Sequence, residues 1–288
     1  MPRLGSGRQF ARPPHWVSEL DDTGLSARSL NSRIQGLKQF GSWLFKTHRL
    51  PFDPFSTLER RNEAADPRHT RRALTPDEVA RLIEVAPEGP LQRARRHVTA
   101  GGIGAKYEAQ LRAWGEGHAL VYAIAVATGL RAGEIKRLTW GDVDLERGQA
   151  RVTARSAKSR HEQTVELHAG LVARLRAVRP TTVLPATTVV PPRCFPTIKS
   201  FNEDLEEAGI AKHDASGRVV DRHALRHTFV SSLQAAGVHP RVAMALARHS
   251  DISLTMKIYT DVSLLDLKGA VARIGAPATS AAASQAAG

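Results

Sequence analysis

The chain has a single cysteine, Cys194, in 288 residues, which excludes an internal disulfide and any cysteine-built zinc or iron–sulfur site and fits a reducing compartment. Long apolar runs are also missing. The longest, Ala119 to Ala127, is far too short to cross a bilayer, and the basic stretch Met1 to Pro14 lacks the apolar segment of a secretion signal. These absences predict a soluble, cytoplasmic protein that does not span a membrane. Acidic residues are the third shortage: 28 Asp and Glu stand against 41 Lys and Arg, a formal charge of +13. That balance, with a pI near 10.6, favours a polyanionic partner, but alone it does not separate nucleic acid from a membrane surface or plain solubility. The apolar fraction of 42% is ordinary, and the length suffices for one large domain or two modest ones.

Residues 1–24 carry Gly, Pro and Arg without periodicity and predict an irregular leader. Ser26 opens a helical pattern in which Leu30, Ile34, Leu37 and Leu44 recur, with Trp43 and Phe45 nearby and Arg33 and Lys38 between. This predicts a small amphipathic helical module over 25–65, its helix ending near Pro51. A proline-bearing basic segment from Phe52 to Arg72 reads as extended connection, with 66–74 the linker proper. Thr75-Pro76-Asp77-Glu78 supplies an N-cap, a proline in the first turn and an acid three residues on, so a helix through Val85 is expected. The polar stretch between Pro87 and Gly117, with Gly101-Gly102 inside it, reads as an insertion or long loop. A helix around Ala119 to Thr128 stops at Gly129, and Arg131 to Leu138 begins another. Alternating stretches Ala150 to Ala154 and Gln163 to Leu167 predict a hairpin or three-stranded sheet. Helices follow, apart from a Pro-rich connection at 180–196, and the uncharged stretch 275–288 predicts a disordered tail. The expected class is mainly α with a small antiparallel β-sheet.

Six residues stand out in order: Arg131, Lys158, His223, Arg226, His249 and Tyr259. Singly, each has a bland explanation as a surface cation or a packed ring. Jointly they supply what phosphodiester exchange without metal requires: positive donors for the phosphate oxygens, a nucleophile, a proton acceptor, and an acid for the leaving oxygen. Two arginines can grip non-bridging oxygens bidentately. His223 and Arg226, three apart at a helix start, point from one face. His249 lies ten residues before Tyr259, and Lys158 on a hairpin tip could swing to the leaving oxygen.

The strings Ala127-Thr-Gly-Leu-Arg-Ala-Gly-Glu-Ile135, His223-Ala-Leu-Arg-His-Thr-Phe229, Leu246-Ala-Arg-His-Ser-Asp-Ile252 and Tyr259-Thr-Asp261 closely resemble the tyrosine recombinase (phage integrase) family in content, order and spacing. The resemblance implies a catalytic domain over 75–274, preceded by a shortened helical core-binding, SAM-like module. It implies a site-specific DNA recombinase or integrase, of the kind a mobile element encodes, working through a 3′-phosphotyrosyl intermediate. Arg131 and Arg226 would bind the scissile phosphate, and His223 would help deprotonate the attacking Tyr259. Lys158, seven residues before Val165, would protonate the 5′-oxygen, and His249 would donate to the phosphate. Glu134 would hold Arg131 in place, and His227 would be structural. The implied partner is double-stranded DNA, with no metal, no cofactor and no membrane partner, bound by a homo-tetramer during synapsis and a monomer when free, with the region after Tyr259 docking between subunits. Arg28, Arg33, Lys38, Arg71, Arg72 and Arg248 are the candidate DNA-binding cations.

The sequence departs from the family pattern at three places. Arg248 stands where many members have glycine, Glu166 replaces a frequent proline, and fewer N-terminal helices are visible before Thr75 than the family normally carries. Two other readings share these residues: a type IB topoisomerase acting as a monomer on one duplex, and a non-catalytic DNA-binding relic of an integrase.

Overall fold

The computed structural model describes residues 24–66, 68, 70–98, 102–153 and 162–259. Nearly all of the expected leader, Lys158 and its hairpin tip, the region after Tyr259 and the expected tail lie outside these residues. The chain divides into two compact units, Met1–Thr70 and Arg71–Gly288.

In the first unit one helix dominates. α1 (Ala27–Lys46) starts where Ser26 accepts a hydrogen bond from the Ser29 amide, and it buries Leu30 and Ile34 as the periodicity predicts. It ends short of Pro51. The chain then returns along the start of α1 and is fixed there by a buried amide: Asn31 accepts from the Arg61 backbone N–H at 2.7 Å and donates to its carbonyl at 3.0 Å. The return packs closely on Gly41, where a methyl would push against the side chains of Asp53 and Phe55. Beside it a 3-10 turn, Glu63–Ala65, completes the described secondary structure of this unit.

The second unit is helical around a small sheet. α2 (Pro76–Val85) opens with the expected capping box, Thr75 and Glu78 satisfying each other's backbone. α3 (Gly89–His97) and the long α4 (Ala105–Thr128) follow. The expectation of a loop over 87–117 is therefore corrected: most of it is helix. Gly115 and Gly117 serve contact, because a methyl on the first would strike the Pro87 carbonyl and one on the second would strike Cys194. Here close approach, and not turning, explains the glycine.

α4 packs against α2, α3 and α8 (Arg222–Ala235). Tyr122, Phe201, Leu82, Leu91 and Ile124 are all but fully buried around it. A carboxyl group lies in this core. The fully buried Asp204 accepts from the Tyr122 hydroxyl at 2.6 Å, meets His118 Nδ1 at 2.8 Å and pairs with Arg93 at 2.8 Å, tying α3, α4 and α7 (Ile198–Glu207) together. Burial and that carboxylate push the Tyr122 phenol far above its ordinary range.

After α5 (Ala132–Arg137) come β1 (Val143–Asp144), β2 (Gln149–Val152) and β3 (Gln163–Glu166), antiparallel in the order β1-β2-β3. Ala150 opposes Val165 and Arg151 opposes Thr164. Ala150, Val152 and Val165 therefore face the core while Arg151 and Thr164 face outward. α6 (Ala169–Val178) follows the sheet, and α9 (Pro240–Ala247) and α10 (Ile252–Tyr259) close the described chain. No helix among the described residues is long and apolar enough to cross a membrane.

Candidate active site

The α4–α5 corner forms the floor of the site. Gly129 ends α4 at φ +62°, where a side chain would be strained and a Cβ would also run into Phe229. Thr128 stiffens the turn by donating to the Ile124 carbonyl at 2.6 Å and accepting from the Leu130 amide at 3.2 Å. Arg131 then caps α5. Glu134, nearly buried, accepts from the Arg131 amide at 2.9 Å and from its guanidinium at 3.0 Å. The expected role of Glu134, to hold Arg131, corresponds to these two bonds.

α8 brings the second arginine. Its N-cap Asp221 accepts from the Ala224 amide, leaving His223 exposed in the first turn and Arg226 one turn further in. The Arg226 guanidinium donates to the carbonyls of Gly129 and Ala247, the last residue of α9. It thus ties the ends of two helices, where backbone carbonyls lack helical partners.

The α9–α10 corner supplies the rest. Arg248 sits at φ +54°, and its side chain, 4% exposed, reaches Glu134 and the Gly129 carbonyl, both at 3.4 Å. His249 Nδ1 meets the Thr255 hydroxyl at 2.9 Å. Tyr259, at the end of α10, is half-buried beside Phe229, Val230 and Ala247, and its hydroxyl donates to the Val238 carbonyl at 2.8 Å.

Positive charge is crowded here. Burial, then the charges of Arg131 and Arg248, push the Arg226 guanidinium well below its ordinary range. Burial lowers Arg248 too, partly offset by Glu134. Burial followed by the three arginines pushes His249 down to about 4, and burial raises the Tyr259 phenol. Such a site gains from any anion that enters it, because an anion relieves guanidinium repulsion. A cavity of about 240 Å³ beside it is lined by Arg131, His223 and Arg226 together with Lys212, Arg222 and Phe201.

Of the expected site residues, the structure gathers Arg131, Glu134, Arg226 and His249 at one corner and sets His223 at the same cavity. His227, one turn after His223, is half-buried on α8, and Lys158 lies outside the described residues. Three candidate DNA-binding cations are engaged within the protein. Arg248 is buried in the cluster instead of facing outward, Arg72 forks onto Glu78 at 2.7 and 2.8 Å, and Arg71 is paired with Asp221. Arg28 and Arg33 are exposed on α1, and Lys38 is half-buried. Lys212 and Arg222 were missed, since no local spacing marks a cation that only the fold brings to the cavity.

The phage integrase family model matches residues 72–264. A tyrosine recombinase XerC from Xanthomonas axonopodis pv. citri is 29% identical over 261 residues, covering 90% of this chain and 74% of that protein. The XerC of Xanthomonas campestris pv. campestris strain B100 is 30% identical over 245 residues, covering 85% and 67%. In fold, the chain is similar to the integrase of transposon Tn1549 solved with a circular intermediate DNA, at a TM-score of 0.60 and 18% identity over 90% of this chain and 82% of that one. Guanidiniums gathered at the motif positions, a tyrosine ending the following helix and a family match over most of the chain agree: the chain belongs to the phage integrase family and is a tyrosine recombinase.

Proposed function

We propose that the protein binds duplex DNA at a specific site and cuts and reseals it with Tyr259 as nucleophile. The observation that carries this reading is the corner where Arg131, Arg226 and Arg248 crowd positive charge around His249, beside the helix that ends in Tyr259. The Tyr259 oxygen would attack phosphorus and displace the 5′-oxygen, leaving a 3′-phosphotyrosyl bond. Its proton would pass toward His223, and Lys158 would protonate the departing oxygen. In the reverse step a 5′-hydroxyl from a second strand reseals the backbone, so the bond energy is kept. Attack requires the Tyr259 hydroxyl to leave the Val238 carbonyl it now engages. Arg131 and Arg226 would supply forked donors to the non-bridging oxygens. In this reading four copies pair two sites, the segment after Tyr259 bridges neighbours, and Arg28, Arg33 and Lys38 follow phosphates.

The test is a nicked target duplex that traps the covalent intermediate. The wild-type protein should become attached at a 3′ end, and Tyr259→Phe should bind the site yet form no adduct. Arg131→Ala and Arg226→Ala, checked for folding by thermal melting, should each slow the adduct by about a hundredfold. Cleavage should persist in EDTA; loss on chelation that magnesium restores would overturn the mechanism. A protein that binds its site and never forms an adduct is a relic, and one that relaxes supercoils without exchange between sites is a topoisomerase.

A further inference from the structure

Arg248 is out of place by three separate measures. It holds a left-handed backbone, φ +54°, at the end of α9, where glycine would be unstrained. Its side chain is 4% exposed although a guanidinium is costly to bury. It also enters a cluster that already holds two arginines. A strained backbone and a buried charge persist where surrounding contacts determine them, and such strain gathers at working sites. The contact that answers both here is Glu134. One of its oxygens accepts from the Arg131 guanidinium, while the other takes the Arg131 amide and the Arg248 guanidinium.

We infer that Arg248 is a positioning residue for strand cleavage: it shares the Glu134 carboxylate with Arg131, so that Arg131 is held in place yet its charge stays available to a phosphate. Without Arg248, the carboxylate would have only Arg131 for a charged hydrogen-bond partner among the described residues. It would draw that guanidinium closer and neutralise it more completely, and the corner would lose one of its three crowded guanidinium charges. Arg248 also donates to the Gly129 carbonyl that Arg226 holds, so it touches the frames of both proposed phosphate-binding arginines. A lysine, with one point of charge, cannot span these acceptors.

This inference rests on the cleavage reaction proposed above, and the experiment separates the two. Adduct formation at saturating protein and affinity for the nicked site are measured for wild type, Arg248→Gly, Arg248→Lys, Glu134→Gln and the Arg248→Gly/Glu134→Gln pair. Glycine suits the backbone of residue 248, so Arg248→Gly removes the guanidinium without forcing the corner. Its adduct rate should fall about ten- to a hundredfold while site affinity stays within about twofold of wild type. Free guanidinium ion at non-denaturing concentration should restore part of the rate. The double variant should be little slower than Glu134→Gln alone, because both changes break one linkage. Arg248→Lys should be slowed with affinity retained, and it decides the matter if Arg248→Gly does not fold. A wild-type rate in whichever variant folds, a rate loss explained wholly by weaker binding, or additive effects in the double variant would overturn the role. A wild-type protein without any adduct defeats the cleavage reading itself, and this role with it.

Discussion

His249 is half-buried beside three arginines, and burial with their charges pushes its pKa from 6.5 to about 4. In the unfolded chain the same ring titrates near 6.5, so between these values the unfolded state binds the extra proton. Stability attributable to His249 is thus unaffected above about pH 6.5 and falls as pH drops toward 4. Urea unfolding of wild type and His249→Gln should agree near neutrality and diverge in that window, with the wild type losing more. A bound phosphate offsets the guanidiniums, so DNA should raise the His249 pKa, which an NMR titration with and without the site would follow. A free-protein ring titrating at the ordinary value would remove the crowded-charge account. At this scale the sequence was readable where a motif is local, as in Gly129 to Ile135. The setting of Arg248 was not legible, because nothing near it in sequence reveals its burial or its pairing with Glu134 across more than a hundred residues.

α4 shows how an element can be half legible. Its apolar second half and its Gly129 stop are visible in the sequence, while its first half reads as loop because the stretch from Pro87 is polar and holds Gly101-Gly102; Gly115 and Gly117 lie within that first half. Only the tertiary structure shows that both glycines face close neighbours. Helix propensity alone would favour alanine by about 1 kcal/mol. At Gly115 the obstacle is a backbone carbonyl that cannot rotate away, so Gly115→Ala should cost about 1–3 kcal/mol net, read from urea denaturation. Gly36→Ala in α1, where nothing lies within 4 Å, should be neutral or stabilising by the same assay. Equal effects at the two positions would show that α4 is not so tightly seated. The caps at Ser26 and Thr75 were legible because a cap is satisfied within four residues.

For the molecule as a whole, the division at Thr70 and Arg71 predicts that residues 71–288 fold without the first unit. Removing residues 1–70 should lower affinity for the site. It should also flatten the salt dependence, by about 0.9 in log–log slope for each phosphate that the first unit neutralises, measured by binding across a salt series. Identical slopes for the two proteins would mean that Arg28, Arg33 and Lys38 touch no phosphate. In the second unit, Arg226 joins the ends of α4 and α9, and Arg248 joins α5 to the same place. The groups proposed to seize the DNA therefore also fasten the protein shut. A copy whose gene has lost Arg226 leaves the buried Ala247 carbonyl without that donor, and one that has lost Arg248 leaves the Glu134 carboxylate with one guanidinium where it had two, at about 1–3 kcal/mol each. Losses of that size change cellular abundance several-fold through proteolysis. Arginine-damaged copies would then be degraded before they could sit on recombination sites and obstruct working ones, whereas a copy damaged only at Tyr259 would keep its shape and become the effective poison.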